Sequence, residues 1–308
     1  MKDLIILGNG MAGMTAALYA SRANLDFKLV GRDEYDFGQI GNAILVENYP
    51  CAPNSSGFNL ACTLHDQLES MGVKVEEKEV FHITPVSGNE TERKFLIEYS
   101  DQSVDTCRSI IYALGAKHRE LSCKIGEGIP IHYCALCDGA LYKDKIVAVI
   151  GGGDVAFTQA EYLSKICKKV MIVMCDENIT AAPSTTERVK KIDNIEIIYN
   201  FPVVEIYMIR QNLFALEDKE EKAILANGIF VAIGMIPNTE ALAPMYLNEN
   251  GYIKTNQNLE SSCQGFFAAG DVREKNVRQA LTAAADGAIT VNSVINYLKE
   301  VNANVESN

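Results

Sequence analysis

The sequence predicts an α/β protein built on two dinucleotide-type βαβ units. Three observations predict it. A short apolar run at the N-terminus leads into a glycine-rich turn and an amphipathic stretch, and the same succession returns about 140 residues later, counted from Leu4 to Ile146. A chain of 308 residues also has room for about two domains.

In the first unit, residues 3–7 (DLIIL) form the apolar run, and Gly8-Asn9-Gly10-Met11-Ala12-Gly13 follows at once. Ala12, Ala16, Tyr19, Ala20 and Ala23 then fall on one helical face, and residues 27–30 form the next strand. Each glycine has a task in a dinucleotide site. Gly8 lets the chain turn tightly off the strand, Gly10 lets backbone approach a pyrophosphate, and Gly13 lets the helix lie close to the strand. The helix N-terminus then offers unpaired N–H groups to phosphate. The plainer reading, a glycine turn with no ligand, is weakened by the strand before it and the helix after it. No ribose-binding acid stands directly after the second strand: the residues there are Gly31 and Arg32, with Asp33 and Glu34 just beyond.

The second unit runs from residues 146–150 (IVAVI) through Gly151-Gly152-Gly153-Asp154 to a helix reaching about Ile166 and a strand at 170–174. Leu60, Leu64, Leu68 and Met71 mark another helix, and 95–99 and 110–114 read as strands. Segments 196–199, 214–216 and 228–233 read as further strands of the second unit. A closing helix covers 280–298 with Ala284, Gly287, Val291, Val294 and Leu298 in one stripe, and the polar tail 302–308 is expected to fray.

Composition narrows the function. A formal net charge of −12 argues against nucleic acid and anionic membrane as partners, since both require a basic face. No apolar run reaches the roughly 18–20 residues of a membrane span, and the N-terminus lacks the regions of a signal peptide. The expected location is cytoplasmic. Nine cysteines are then expected mostly as thiols, so a disulfide would be catalytic.

The chemistry concentrates in Cys134-Ala135-Leu136-Cys137-Asp138. Two residues between cysteines allow a small disulfide ring at a helix start, where one thiol pKa is lowered and thiolate attack favoured. An adjacent Asp suits proton transfer to a leaving thiolate. Two bland readings stand beside this one. Half of a zinc site would need two more ligands, and there is no second CxxC, although Cys123 and His132 are near in sequence. A pair of buried, inert cysteines is the other. The four histidines (His65, His82, His118, His132) show no metal spacing and read as structural or surface residues.

Taken together, the motifs resemble those of the low-molecular-weight thioredoxin reductases. Residues 134–139 (CALCDG) match that family's CxxCDG; Phe267-Ala268-Ala269-Gly270-Asp271 matches its FxxGD; Arg278-Gln279-Ala280 matches its RQA. Gly38-Gln39 and Glu47-Asn48-Tyr49-Pro50 match two segments near the flavin, while Ala113-Leu114-Gly115 and residues 232–239 match the two domain crossovers. The resemblance implies an architecture of pyridine nucleotide-disulfide oxidoreductase type: two Rossmann-like three-layer domains, the second inserted into the first. The FAD-binding domain would be residues 1–115 and 245–308, and the NAD(P)-type domain with the CxxC would be 116–244. FAD would be held by Gly8, Gly10, Gly13, Gln39, Asn48, Gly270, Asp271, Arg278, Gln279 and Ala280. Cys137 would face the flavin, Cys134 would attack a thioredoxin disulfide, and Asp138 would give and take the proton. No metal is implied. The family is homodimeric and rotates its inserted domain, with hinges expected near 114–118 and 242–246.

The sequence departs from that family where the NADPH 2′-phosphate is held. NADPH-binding members carry a His-Arg-Arg run and a further Arg there; this chain reads Met174-Cys175-Asp176-Glu177-Asn178, with no basic residue until Arg188. Losing charged hydrogen bonds costs about 1–3 kcal/mol each, so NADPH is not the expected donor. Thr158-Gln159 also replaces the family's usual Glu-Glu. Two donors stay open. NADH would use Asp176, 23 positions after Gly153, as a ribose acid, though Asp176 also reads as a solvated turn residue. Ferredoxin is the preferred donor, because the missing arginines resemble clostridial members that take electrons from it. Beyond a reductase, a flavin dithiol oxidase and a non-catalytic flavin- or NAD-binding sensor are the competing functions. Cys51, Cys62, Cys107, Cys123, Cys167, Cys175 and Cys263 are expected to be bystanders.

Overall fold

Leu4, Ile5, Ile6 and Leu7 are all fully buried in the computed structural model, as a strand covered on both faces requires. The structure describes residues 1–43, 46, 48–52, 55–86 and 94–306. It divides the chain into two compact units, one of residues 1–117 with 236–308 and one of residues 118–235.

The first unit opens with β1 (Lys2–Leu7), α1 (Met11–Arg22), β2 (Phe27–Gly31), α2 (Gly57–Ser70) and β3 (Val75–Glu77). β1 lies parallel between β2 and the later β6, and β3 continues the parallel order beyond β2. A meander of β4 (Val80–Val86), β5 (Lys94–Tyr99) and β6 (Val104–Tyr112) follows. The nine-residue β6 serves two roles: its first half pairs antiparallel with β5, and its second half pairs parallel with β1. Leu4 and Ile6 turn to the helices, whereas Ile5 and Leu7 turn to a layer supplied by the meander and by Leu242, Tyr246 and Ile253.

The chain leaves this unit through β7 (Ala116–His118). The second unit holds β8 (Lys124–Ile125), β9 (Ile131–His132), α3 (Ala135–Asp138), β10 (Ile146–Ile150), α4 (Asp154–Ser164), β11 (Lys169–Val173), α5 (Pro183–Val189), β12 (Ile195–Ile198), β13 (Val203–Arg210), β14 (Leu213–Asp218), β15 (Ala223–Ala226) and β16 (Gly228–Val231). Its parallel sheet has the order β12-β11-β10-β16-β9, and a second, mostly antiparallel sheet has the order β15-β14-β13-β8. Val147 and Val149 pack under α4, while Ala148 and Ile150 pack against Ile206, Phe214 and Leu216 of the second sheet. Helix, parallel sheet and antiparallel sheet therefore make three layers.

The return runs through β17 (Met235–Pro237), which pairs with β7, then β18 (Phe266–Ala268) on β6, and α6 (Ala280–Glu306). Several expectations are corrected here. The return boundary falls at 235/236, not 244/245, because Ala241, Leu242 and Tyr246 are already buried and the latter two join the first unit's core. Tyr19 is 48% exposed and Ala23 lies outside α1, so that helix enters the core through Ala12, Met14, Ala16, Ala17 and Ala20. The tail is helical as far as Glu306, and residues 307–308 lie outside the described residues. Among the described residues, no helix is long and apolar enough to cross a membrane.

Candidate active site

Cys134 and Cys137 are joined in a disulfide with their Cα atoms 5.3 Å apart, and both are half-buried. The geometry is local. β9 delivers the chain to His132, and a single helical turn, α3, starts directly after Cys134. Cys134 caps that turn: its Sγ accepts the Cys137 backbone N–H at 3.2 Å, and its carbonyl accepts the Asp138 N–H at 3.1 Å. A backbone donor aimed at Sγ favours the thiolate of Cys134 once the disulfide is opened. Bonded to each other, the two sulfurs are not offered as metal ligands in this structure. Among the described residues the ligand-type groups that converge are His65, Asp66 and Glu69, whose two acids are exposed, as such acids commonly are without an ion.

Asp138 follows the second cysteine. Its Oδ2 lies 2.9 Å from His132 Nδ1, and its Oδ1 is buried with no hydrogen-bond partner. His132 Nε2 in turn lies 2.6 Å from the Tyr142 hydroxyl. His132 is buried, at 4% exposure, and its ring lies 5.2 Å from that of Phe230. The Tyr142 phenol is pushed up by burial and then by the Asp138 charge, so it keeps its proton. The reading of His132 as a bland structural residue missed this contact. Its signal was only proximity: six residues before an acid and ten before a tyrosine.

The first glycine turn is built as its sequence requires. Gly8 sits at φ +108°, and a Cβ there would come within 2.4 Å of the Ala113 carbonyl oxygen. A Cβ on Gly13 would be 1.7 Å from the Gly8 oxygen, so helix and strand touch at backbone distance. Gly10 is the N-cap of α1 and supplies no side-chain acceptor, which leaves the first N–H groups for a ligand. The buried Asn9 donates through Nδ2 to the carbonyls of Asp33 (2.8 Å) and Glu34 (3.2 Å), tying the loop after β2 to this turn. A Cβ on Gly270 would stand 3.0 Å from Ala12 Cβ, so Asp271 lies beside the start of α1.

The Oδ1 of Asp271 is buried without a hydrogen-bond partner; burial pushes its carboxyl upward, and Lys275 and Arg278 oppose that. Arg278 holds its guanidinium 4.4 Å over the Tyr252 ring, and its Nε is also buried and unpaired. Asn48 Nδ2 donates to Gln279 Oε1 at 2.8 Å, just before Ala280 opens α6. Gln39 stands exposed on a short 3-10 turn of residues Gly38–Asn42, and Glu47 lies outside the described residues. The sequence reading passed over Asp286. It is buried in α6, takes Arg273 through both oxygens (2.9 and 2.8 Å) and Lys275 at 2.9 Å, and accepts the Gly270 N–H at 2.9 Å. An acid within the apolar run of α6 was the available signal.

The second glycine turn repeats the first: Gly151 sits at φ +145° against the carbonyl of Ala232. Its surroundings differ. The Gly152 carbonyl accepts the backbone N–H groups of Thr180 (2.9 Å) and Ala181 (3.2 Å), and Met174 Cε is 2.9 Å from where a Gly152 Cβ would stand. Asp176 turns back on its own loop, its Oδ1 accepting the Asn178 N–H at 2.8 Å. Arg188, the first basic residue beyond β11, is held by Glu161 through contacts of 2.8–3.0 Å.

Comparison with known proteins shows the family. The family model for pyridine nucleotide-disulphide oxidoreductases matches residues 2–287. The chain is 33% identical to the thioredoxin reductase of Bacillus subtilis, over 97% of this chain and 95% of that one. It is 35% identical to a 34.2 kDa protein in the rubredoxin operon of Clostridium pasteurianum, over 96% and 97%. The chain belongs to the thioredoxin reductase family of pyridine nucleotide-disulphide oxidoreductases. Among solved structures, the thioredoxin reductase of Streptococcus pyogenes superposes with a TM-score of 0.86 at 33% identity, covering 97% of this chain and 99% of that one. A ferredoxin-flavin thioredoxin reductase from Clostridium acetobutylicum does so with a TM-score of 0.53 at 25% identity, covering 97% and 98%.

This thioredoxin reductase-like flavoprotein is a disulfide oxidoreductase whose cofactor is FAD. The residues of the first unit fit that group. Gly8 and Gly13 draw α1 against the strand, the N-terminus of α1 is free of a side-chain cap, and Asp271 Oδ1 and Arg278 Nε offer one acceptor and one donor without a hydrogen-bond partner among the described residues.

Proposed function

We propose that this protein reduces the disulfide of a thioredoxin through Cys134 and Cys137, with electrons taken from a reduced ferredoxin through FAD. The observation that carries the reading is the Cys134–Cys137 disulfide, with a backbone donor on Cys134 and a buried, unpaired carboxyl oxygen on Asp138. The FAD-binding residues in this reading are Gly8, Gly10, Gly13, Gln39, Asn48, Gly270, Asp271, Arg278, Gln279 and Ala280. When bound, FAD supplies a two-electron relay between the donor and the protein disulfide.

In the reduced enzyme the Cys134 thiolate attacks one sulfur of the partner disulfide, and the other sulfur leaves as a thiolate that takes the Asp138 proton. Asp138 then accepts the Cys137 proton. The Cys137 thiolate attacks Cys134, the second partner sulfur leaves, and Asp138 returns that proton to it. Two protons and two electrons pass to the partner, and the enzyme disulfide is restored.

The donor is argued from the second glycine turn. A 2′-phosphate beside Asp176 and Glu177 would meet two acids and, along the described residues 174–188, a single cation, Arg188, which is committed to Glu161. The Gly152 carbonyl is engaged by the chain's own segment at Thr180 and Ala181. The Clostridium relatives, one named for ferredoxin and one from a rubredoxin operon, support a protein electron carrier. NADH is the second reading, favoured by Asp176 as a ribose acid, but one oxygen of Asp176 already serves its own turn. A homodimer belongs to the same proposal.

The test is anaerobic flavin bleaching. Reduced ferredoxin is expected to bleach the FAD band, and oxidised thioredoxin to restore it. Rapid bleaching by NADPH would overturn the reading of the 174–188 segment; rapid bleaching by NADH would make Asp176 a ribose ligand. Hydrogen peroxide formed from a small dithiol would point to an oxidase, and unchanged turnover in Cys134→Ser would point to a sensor.

A further inference from the structure

We infer that His132 is the positioning residue for the proton of Asp138: it binds Oδ2 and so confines the exchangeable proton to Oδ1. The inference rests on the proposal that Asp138 is the acid of the disulfide exchange.

The carboxylate of Asp138 accepts only, so the 2.9 Å contact needs the proton on His132 Nδ1. In the neutral ring Nε2 is then the acceptor, and Tyr142 donates its O–H to it at 2.6 Å. The chain of contacts Tyr142–His132–Asp138 runs in one direction and fixes one tautomer. It is also held in place. Gly228 makes room for the Tyr142 ring, since a Cβ there would come within 2.4 Å of it, and Phe230 of β16 packs on the other rings at 5.2 and 5.6 Å. Among the described residues, the titratable groups shown against His132 are Asp138 and Tyr142; β16 contributes only Phe230.

The consequence lies in which oxygen is free. Both carboxyl oxygens of a half-buried Asp compete for the proton unless one is occupied. With Oδ2 taken by Nδ1–H, the proton that reaches a leaving thiolate sits on Oδ1, the oxygen that is buried and unpartnered. The Nδ1–H donor stays on Oδ2 whether Oδ1 is protonated or bare. The step itself moves one proton from the Asp138 oxygen to the released thiolate sulfur, and His132 neither gains nor loses a proton in it.

The test uses the intact FAD enzyme, reduced with dithionite and mixed with one of two disulfides. Oxidised thioredoxin releases aliphatic thiolates that need a proton, whereas 5,5′-dithiobis(2-nitrobenzoate) releases an aromatic thiolate that does not. H132F is expected to slow thioredoxin reduction about 10- to 100-fold, by analogy with the loss of a hydrogen-bonded partner that orients a metal-ligating side chain, with little change for the aromatic disulfide. H132N retains an amide donor for Oδ2 and is expected to recover most of the rate. Equal slowing of both disulfides, or of neither, would overturn the role of His132. D138N separates the two claims: if it shows the selective loss while H132F does not, only the positioning role fails. If D138N shows no selective loss, the proton-donor reading of Asp138 fails with it.

Discussion

At the scale of single residues, buried charge decides most of what can be tested. Burial alone would push Asp286 upward, but hydrogen bonds from Arg273 and Lys275, with their charges, hold its carboxyl below the ordinary 3.8. A depressed folded pKa gives stability that is full above 3.8 and is lost as pH falls through the folded value. Asp286→Asn leaves two cations without their acid, and removal of one partner from a buried ionic cluster costs about 3–5 kcal/mol. The expected result in urea unfolding is a large gap between wild type and D286N at pH 7 that narrows below pH 4. A gap of the same size at both pH values would show that packing, not charge, sets the cost. Asp271 has the opposite sign: burial raises it, so its ionised form costs stability that is regained as pH falls through its folded value. The difference in legibility between Cys134, Cys137, Asp138 and Asp286 follows from distance. The first three lie within five positions, so spacing alone brings them together. Asp286 meets cations 13 and 11 positions away across a turn, and His132 depends on which way a buried ring faces.

At the scale of elements, the regular β1–α1–β2 and β10–α4–β11 units were readable because their strands are buried on both faces and bounded by glycine. The layer of β13, β14 and β15 was read only in part, since in β13 Ile206 alone is fully buried and alternation is weak. α5 was missed for the same reason: of its seven residues only Val189 is buried. The contact of α1 with α6 yields a prediction. A glycine inside a helix costs about 1 kcal/mol relative to alanine, yet α6 keeps Gly287, whose Cβ would stand 2.2 Å from the Ala12 carbonyl and 2.9 Å from the Ala16 nitrogen. Gly287→Ala therefore gains propensity but drives α6 away from the helix that carries the first glycine turn. The expected net effect is destabilisation of about 1–3 kcal/mol, with weaker FAD retention on gel filtration. A melting temperature equal to or above wild type would mean that α1 and α6 can separate without cost.

At the scale of the whole molecule, the nine cysteines form one test of the redox reading, because a single catalytic disulfide requires the other seven to be thiols. The structure pairs Cys134 with Cys137 and leaves Cys51 and Cys175 exposed, Cys62, Cys123 and Cys263 half-buried, and Cys107 and Cys167 buried. Reactivity should follow thiolate fraction as well as exposure. Burial pushes Cys167 up to about 11 and Cys107 further still, while burial and then the Asp176 charge raise Cys175. Native alkylation of the oxidised enzyme at pH 8 is thus expected to label Cys51 ahead of Cys175 and to spare Cys107 and Cys167. Mild reduction is expected to add two labels, both on the peptide that carries residues 134–137, and alkylation after full denaturation and reduction should reach all nine. Four new labels on mild reduction would reveal a second disulfide and make one of the supposed bystanders a redox partner. No new label would mean that the Cys134–Cys137 bond is absent from the resting protein or closed to the reductant, and the electron path from flavin to partner would have to be drawn elsewhere.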